Sequence, residues 1–384
     1  MAFAAHARAL EIRIAVLRAD APSVSGLPIS RLDLPPPDLG FAGAQLGYED
    51  NQTTGAFLGQ TYLLTTRTVA PQDAAASLQA LIADGYDKVV ALAPHDSLLA
   101  LSDAAGDAAL LLNALAPDDD LRSGACRANI LHVAPSRAMR ADGLIQYLIW
   151  KQWRRVVLIS GSHPEDRALA DSYRAALAKF QARIVSELEF EDTGGARRTD
   201  TGFAQVQRQI PQFTQKLRDH DVIVAADEAD VFAAYLPYRT WQPRPVTGSA
   251  GLRPVTFHPA HEAWGATQFQ TRFEDLTGRR VREEDYQVWL ALRVIGEAVT
   301  RTGSADPEAL RRYALSDAFS VGGFKGQKLT FRPWNGQLRQ PILLSDGHLT
   351  VSVSPQPGFL HQRSPLDTLG LDRPESRCTA FEPN

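Results

Sequence analysis

The chain has 384 residues, of which 44% are hydrophobic and 22% charged, and its formal net charge at pH 7 is -4. This length suits two structural units better than one compact core. The acidic balance, with a pI near 6.2, excludes the basic surface that nucleic-acid binding needs. No apolar run reaches the about 18 residues of a membrane-spanning helix, so we expect a globular chain that is not membrane-embedded.

The N-terminus contains two small-x-small patterns of the kind that signal peptidase cleaves, Ala5-His6-Ala7 and Ala7-Arg8-Ala9. The apolar core of a signal peptide does not precede them. We expect a protein exported to the periplasm through a cleaved signal peptide, with residues 1–9 as the disordered remnant. The alternative is an alanine-rich disordered end.

Strands and helices alternate along the chain, because short apolar runs predict strands and longer amphipathic runs predict helices. Before residue 136 we predict strands over residues 11–17, 62–69, 88–93 and from 109, and helices over 41–51 and 73–83. A proline-rich loop, residues 18–39, follows the first strand. After residue 136 we predict helices over 138–152, 166–180, 206–219 and 284–301, strands over 155–160, 183–190 and 222–226, short strands within 330–352, and an irregular tail over 353–384.

This alternation predicts two parallel sheets with right-handed crossovers. Ligands of parallel sheets bind beyond the carboxyl ends of the strands, and two facing sheets direct those loops into one shared cleft. The rule selects the following candidate ligand-binding residues: Arg18, Asp20, His95, Asn113, Ser162, His163, Asp227 and Gly251.

Three further candidate ligand-binding residues are selected by their residue type as well as by their position in the sequence. Arg137 follows Ser136, which can cap the next helix and leave backbone N–H groups for an anion. Arg253 follows a glycine-rich loop, near His258, and can bind a carboxylate with two parallel hydrogen bonds. Trp264 lies outside the regular strands and can stack on a ligand ring. The structural alternatives are helix capping for Ser136, surface exposure for the arginines and hinge packing for Trp264.

The two cysteines, Cys126 and Cys378, are far apart in sequence and lie in no zinc-binding pattern. In an oxidising compartment they can form a disulfide that holds the C-terminal tail to the body. Two unconnected buried thiols are the alternative.

Motifs of the common catalytic and nucleotide sites are absent: the sequence has no GxxxxGK[ST], no HExxH and no GxSxG. The acidic turn at residues 118–120 lacks the glycine and the final glutamate of a calcium loop. We therefore expect a binding protein without catalysis, without a metal and without a required cofactor.

Three segments, taken in order, resemble the type 1 periplasmic solute-binding proteins, the leucine/isoleucine/valine-binding family. They are RANILHVAPSR (residues 127–137), VVLISGSHPEDRALADSY (residues 156–173) and residues 324–344. The resemblance covers roughly residues 11–345. It implies an α/β fold of two lobes, each a parallel sheet flanked by helices, with the ligand cleft at the hinge.

The resemblance also implies how the chain is divided. Lobe 1 is expected from residues 10–135 and 253–327, and lobe 2 from residues 136–252 and 328–352. Residues 353–384 form the tail.

Four segments narrow the resemblance to a subgroup encoded beside alcohol dehydrogenases that depend on pyrroloquinoline quinone (PQQ). They are EDNQTTGAFLGQ (49–60), WGATQFQTRF (264–273), FRPWNGQLRQPILL (331–344) and GFLHQRSPLDTLG (358–370). The subgroup includes a periplasmic PQQ-binding protein. The loop at residues 249–251 lacks the acid with which amino-acid binders hold an α-ammonium group.

The resemblance implies a substrate-binding protein that serves the permease of an ABC-type uptake system, with PQQ as its ligand. PQQ carries three carboxylates on a flat ring system, which requires arginine or lysine partners and aromatic faces. The alternatives are an alcohol-derived, amide or amino-acid-like ligand, or a factor that delivers PQQ to a dehydrogenase.

Overall fold

The structure is a computed structural model, and it describes residues 10–20, 34–193 and 205–382. The first half of the chain builds a parallel sheet from runs rich in Val, Leu and Ile. Its strands are β1 (Leu10–Ala19), β2 (Gln60–Val69), β3 (Lys88–Leu92), β4 (Leu110–Asn113) and β5 (Ile130–His132). They lie in the order β2-β1-β3-β4-β5, and all neighbours pair in parallel.

Three helices follow strands of this sheet: α1 (Phe41–Ala56), α2 (Ala74–Ala83) and α3 (His95–Ala105). The strand-end rule placed His95 in a loop, whereas α3 begins at this residue. The helix forms because Asp96 in its first turn favours the positive end of the helix dipole, and because Leu98 and Leu101 bury one of its faces.

The second half repeats the pattern with a parallel sheet in the order β7-β6-β8-β9. Its strands are β6 (Arg155–Gly161), β7 (Arg183–Phe190), β8 (Val222–Ala226) and β9 (Val246–Gly248). Its helices are α4 (Arg137–Trp150), α5 (Pro164–Lys179), α6 (Val206–Thr214) and α7 (Leu236–Arg239). The prediction of parallel sheets flanked by helices is confirmed. However, α6 is shorter than predicted, because Pro211 interrupts its backbone hydrogen bonds.

Beyond residue 252 the chain returns to the first sheet. The remaining helices are α8 (Ala266–Thr277), α9 (Glu283–Thr302) and α10 (Pro307–Ala314). The remaining strands are β10 (Arg253–Val255), β11 (Thr330–Phe331), β12 (Leu338–Arg339), β13 (Ile342–Ser345) and β14 (Thr350–Ser354). Strands β10, β13 and β14 form an antiparallel sheet, and β11 pairs with β12. Helix α9 packs closely on α1, where a Cβ at Gly43 would lie 1.9 Å from the carbonyl oxygen of Asp285.

The buried apolar cores show which segments belong together. One face of the first sheet shares a core with α1 and α9, and this core runs from Ile12 to Leu343. It contains Leu329, Phe331 and Leu338, which the sequence-based division assigned to lobe 2. The β11–β12 hairpin therefore buries its apolar side chains in the core of the first sheet, and the division into lobes stays a prediction.

The C-terminal tail is held by a disulfide and by buried ion pairs. Cys126 and Cys378 are bonded, with their Cα atoms 5.7 Å apart. Asp367 Oδ1 accepts hydrogen bonds from Arg332 at 2.9 Å and from Arg339 at 2.8 Å. The tail is irregular apart from the end of β14 and one short 3-10 turn, Pro365–Thr368, and it is nevertheless fixed to the body. The predicted signal-peptide remnant lies outside the described residues.

Candidate functional site

A cavity of about 610 Å³ lies between the loops that follow β1 and β4, helix α4, strand β10 and the start of α9. Leu34 and Pro36 follow β1, and Leu115 follows β4, so the cavity adjoins the carboxyl edge of the first sheet. Ligands of parallel sheets bind at this edge. The volume lies within the about 300–1,000 Å³ of small-molecule sites.

The wall of the cavity is rich in charge, and positive charge prevails. It contains five arginines and two glutamates, a formal net charge of +3: Arg140, Arg253, Arg279, Arg280, Arg282, Glu283 and Glu284. An excess of positive charge on a concave surface concentrates anions, so this cavity favours an anion.

Arg140 contributes a guanidinium from the first turns of α4. Its Nη2 lies 3.1 Å from Glu283 Oε2, and Glu283 Oε2 also accepts the N–H of Thr256 at 2.7 Å. The Nε of Arg140 is buried and has no hydrogen-bond partner among the described residues. A buried donor without an acceptor costs about 1–3 kcal/mol.

Arg279 fixes the segment that also carries Arg280 and Arg282, two other arginines of the cavity wall. It donates to both carboxylate oxygens of Asp285, at 2.7 Å and 3.0 Å, and to Asp38 at 3.0 Å. Asp285 also accepts the N–H of Gly40 at 2.8 Å. The start of α9 is therefore tied to the start of α1, and this holds the cavity wall in place.

Arg253 and Arg280 also line the cavity, and within the described residues neither side chain makes a hydrogen bond or an ion pair. Their guanidinium groups are free to bind a carboxylate with paired hydrogen bonds. Between them lies His258, whose pKa is lowered by burial and by the charge of Arg253. Its Nδ1 accepts the N–H of Ala260 at 3.0 Å, which leaves Nε2 as a donor in the neutral ring.

An apolar surface completes the cavity, formed by Leu115, Val255, Phe257 and Val281. The ring of Phe257 stacks on that of Tyr286, with centroids 4.5 Å apart and planes inclined by 8°. Because Phe257 is 1% exposed, the apolar surface open to a ligand ring comes mainly from Leu34, Pro36 and Leu115, which line the same cavity.

Of the residues predicted to bind ligand, Arg253 lines this cavity, and the other ten lie elsewhere. Arg18 donates to the carbonyl oxygens of Pro37 and Leu39 at 3.0 Å and 3.1 Å and pairs with Asp20 at 3.0 Å. These contacts fix the turn before α1 rather than reach the cavity.

His95 and Asn113 are also bonded within the chain. His95 contacts Asp96 at 2.7 Å and Asp120 at 2.9 Å. Burial disfavours the charged ring, but these carboxylates raise the pKa of His95. Asn113 is fully buried and accepts the N–H groups of residues 115 and 116 at 3.1 Å and 2.9 Å. It shapes the turn that brings Leu115 to the cavity.

In the second half, Ser162 and His163 bind Asp192: the Ser162 hydroxyl accepts its N–H at 3.0 Å, and His163 Nε2 lies 2.9 Å from its carboxylate. Asp227 is buried and accepts the backbone N–H groups of residues 231, 232 and 233 at 2.9, 2.7 and 2.7 Å. Gly251, with a φ of 64°, turns so tightly that a Cβ would lie 2.1 Å from the carbonyl oxygen of Val246.

Arg137 and Trp264 are the last two predicted residues. Arg137 is 7% exposed and bonds to Asp118 at 2.6 Å and to Glu228 at 2.7 Å. Burial alone would lower the pKa of Arg137, but the two carboxylates raise it. Trp264 is 53% exposed, and its ring lies 5.5 Å from that of His261. The ligand-binding roles of these residues stay predictions.

Sequence reasoning missed Arg140, Arg280, Glu283, Glu284 and Phe257. One signal was available: the run RRVREED, residues 279–285, places three arginines directly before a long helix and three acidic residues in its first turn. Arg140 gave no signal, because an arginine in a helix is most often exposed to solvent.

No protein-family model and no curated protein matches the chain. Solved structures do match it over most of its length. A branched-chain amino acid ABC transporter periplasmic ligand-binding protein from Burkholderia xenovorans is 17% identical, with a TM-score of 0.74 over 97% of this chain and 100% of that chain. The chain has the two-lobed fold of the periplasmic binding proteins.

Two further proteins with the periplasmic-binding-protein fold have ligands bound. An ABC transporter substrate-binding protein from Desulfitobacterium hafniense, in complex with Leu, is 17% identical, with a TM-score of 0.67 over 88% of this chain and 98% of that chain. An ABC transporter solute-binding protein from R. palustris, in complex with benzoate, is 12% identical, with a TM-score of 0.65 over 96% of this chain and 99% of that chain. At these identities the likeness establishes the fold.

In the described part of the chain, no helix is long and apolar enough to cross a membrane. In the same residues, no cluster of three or more His, Cys, Asp or Glu side chains could hold a metal ion.

Proposed function

We propose that the chain is a periplasmic solute-binding protein that captures a small carboxylate in the arginine-lined cavity and presents it to the permease of an ABC-type transporter. The observation that carries this proposal is the cavity wall, where Arg253, Arg280 and the Nε of Arg140 lack partners within the described residues. Two-lobed binding proteins respond to ligand by favouring the closed state. No chemical change of the ligand is involved.

The chemistry of the wall favours an aromatic acid. Leu34, Pro36 and Leu115 offer an apolar surface to a ring, and the guanidinium groups offer paired donors to a carboxylate. The benzoate complex of a protein with the same fold is consistent with such a ligand. PQQ has three carboxylates on a flat ring system and satisfies the same requirements, so the prediction from the subgroup resemblance stays a prediction.

A ligand panel of benzoate, leucine and PQQ tests the proposal by thermal unfolding and isothermal titration calorimetry. Binding to the folded state raises the melting temperature by mass action, with about 2.7 kcal/mol at a ligand concentration of 100 Kd. We expect at least one carboxylate to bind, and Arg253→Met to weaken it about tenfold or more, since a charged hydrogen-bonded pair is lost.

The matched control is Arg312→Met, because Arg312 is an arginine of α10 whose side chain is 75% exposed. It should bind like the parent chain. The proposal is refuted if none of the three compounds binds, or if Arg253→Met and Arg280→Met both bind as tightly as Arg312→Met.

A further inference from the structure

Glu284 lies on the wall of the cavity without a cationic partner of its own. Its neighbour Glu283 is paired with Arg140 and with the N–H of Thr256. Within the described residues, the Glu284 carboxylate accepts a hydrogen bond only from its own backbone N–H. A carboxylate on the wall of a cavity for anions therefore has no cationic hydrogen-bond partner among the described residues.

The surroundings of Glu284 disfavour its charge. Burial raises the pKa of Glu284, the neighbouring charges of Glu283 and Asp285 on α9 raise it further, and Arg140 on α4 lowers it.

Across the cavity, the other elements add one titrating group. Arg253, Arg280 and Arg282 line the cavity, and Arg279 is bonded to Asp285 and Asp38. Of the described residues that line the cavity, His258 is the remaining group whose charge can change near neutral pH. Lys325, whose pKa is lowered by burial, interacts with Glu283 and Arg140 rather than with Glu284.

We propose that Glu284 couples the capture of an anion to the uptake of one proton, an inference that rests on the proposed function. An anion in the cavity faces the Glu284 carboxylate, and like charges in one site favour the protonated form. The proton comes from solvent when the anion enters and returns when it leaves. The protonated carboxyl donates a hydrogen bond to the ligand, so Glu284 selects anions with a second acceptor oxygen.

The sign of the pH dependence follows from this coupling. Between the pKa of Glu284 in the free protein and its higher pKa in the complex, binding takes up a proton. Within that window the affinity for the anion falls as pH rises, by at most about tenfold per pH unit for one group.

Calorimetric titration with benzoate and with PQQ, at a pH of about 6 and of about 8 and in two buffers that differ in ionisation enthalpy, tests the coupling. We expect the parent chain to take up protons and to bind more weakly at the higher pH. Glu284→Gln should take up none, and at the higher pH it should bind more tightly than the parent. Glu274→Gln, on the exposed face of α8, is the matched control and should behave like the parent.

His258→Gln separates the two titrating groups. Proton uptake that persists in Glu284→Gln and disappears in His258→Gln overturns the inference in favour of the histidine. Absence of uptake in the parent chain also overturns it. If Arg253→Met loses binding while Glu284→Gln behaves like the parent, the proposed function stands and this inference falls. If neither anion binds at either pH, this inference is refuted, and the proposed function is refuted with it if leucine does not bind either.

Discussion

Asp118 and Glu228 follow strands of different sheets and share the guanidinium of Arg137, at 2.6 Å and 2.7 Å respectively. Asp118 lies beyond β4 of the first sheet, and Glu228 lies beyond β8 of the second. A second contact joins the two halves nearby. The hydroxyl of Ser172 on α5 donates a hydrogen bond to the carboxylate of Asp119 at 2.9 Å. The chain thus joins the ends of its two sheets with its own side chains.

Arg137→Met should lower the free energy of unfolding by about 3–5 kcal/mol, because it leaves two part-buried carboxylates without their partner. Urea unfolding followed by circular dichroism measures this loss. Arg311→Met is the control, since Arg311 pairs with Glu308 on an exposed helix and should cost less than about 1 kcal/mol. Equal losses in the two variants would contradict the bridging role of Arg137.

The disulfide should make a large contribution to stability, because Cys126 and Cys378 are 252 residues apart. In the chain-entropy model, closing so long a loop stabilises by about 5 kcal/mol, and measured values are commonly about 2–5 kcal/mol. We expect dithiothreitol to lower the urea midpoint of the parent chain. The double variant Cys126→Ala/Cys378→Ala should unfold at that lower midpoint with or without reductant. A midpoint of the parent that dithiothreitol leaves unchanged would contradict this expectation.

Asp142 on α4 should make stability fall as pH rises through the acidic range. Burial raises the pKa of Asp142 to about 6, although Lys179 at 2.8 Å and the N–H of Gly370 at 2.7 Å oppose the shift. From a pH of about 4 to about 6 the unfolded chain ionises this group first, so the free energy of unfolding falls by on the order of 2 kcal/mol. The fall should be complete above the folded-state pKa.

Asp142→Asn isolates this contribution, because the amide does not titrate. Urea unfolding of the parent and of the variant at several pH values should give a difference that changes between the two pKa values and is constant outside them. A difference that is constant over the whole acidic range would show that Asp142 titrates normally in the folded chain.

Gly43→Ala should disrupt the packing of α1 on α9. The new Cβ would lie 1.9 Å from the carbonyl oxygen of Asp285, so one helix must move, at a cost of about 3 kcal/mol or more. Gly322→Ala is the matched control, since a Cβ there meets nothing within 4 Å. Thermal unfolding compares the two variants, and a stable Gly43→Ala chain would show that the helices can separate without cost.

The sheets could be predicted from the sequence because their central strands are continuous apolar runs. Val222–Ala226 is an example, with five buried residues in succession. The antiparallel strands β10 to β14 could not be placed in the same way, because they are two to five residues long and pair with partners far along the chain. Such pairing leaves no local pattern.

The cavity was predicted in part, because the strand-end rule identifies polar side chains but not what they bind. Asp227 follows a strand as the rule requires, yet its carboxylate satisfies three N–H groups of the next turn. Loops at strand ends need hydrogen-bond acceptors for their own backbone N–H groups. Polar residues at these positions therefore stabilise the loop before they are available to a ligand. Arg253 reaches the cavity, whereas Arg140 joins it only because α4 packs beside β10.

The order in which the chain is synthesised differs from the order in which its sheets can be completed. The α2 and α3 face of the first sheet closes with residues up to Ile130, but its other face needs α9 and residues up to Leu343. The second sheet draws its cores mainly from residues 141–250. On a ribosome, the first sheet therefore keeps one apolar surface uncovered until the residues near Leu343 have been made.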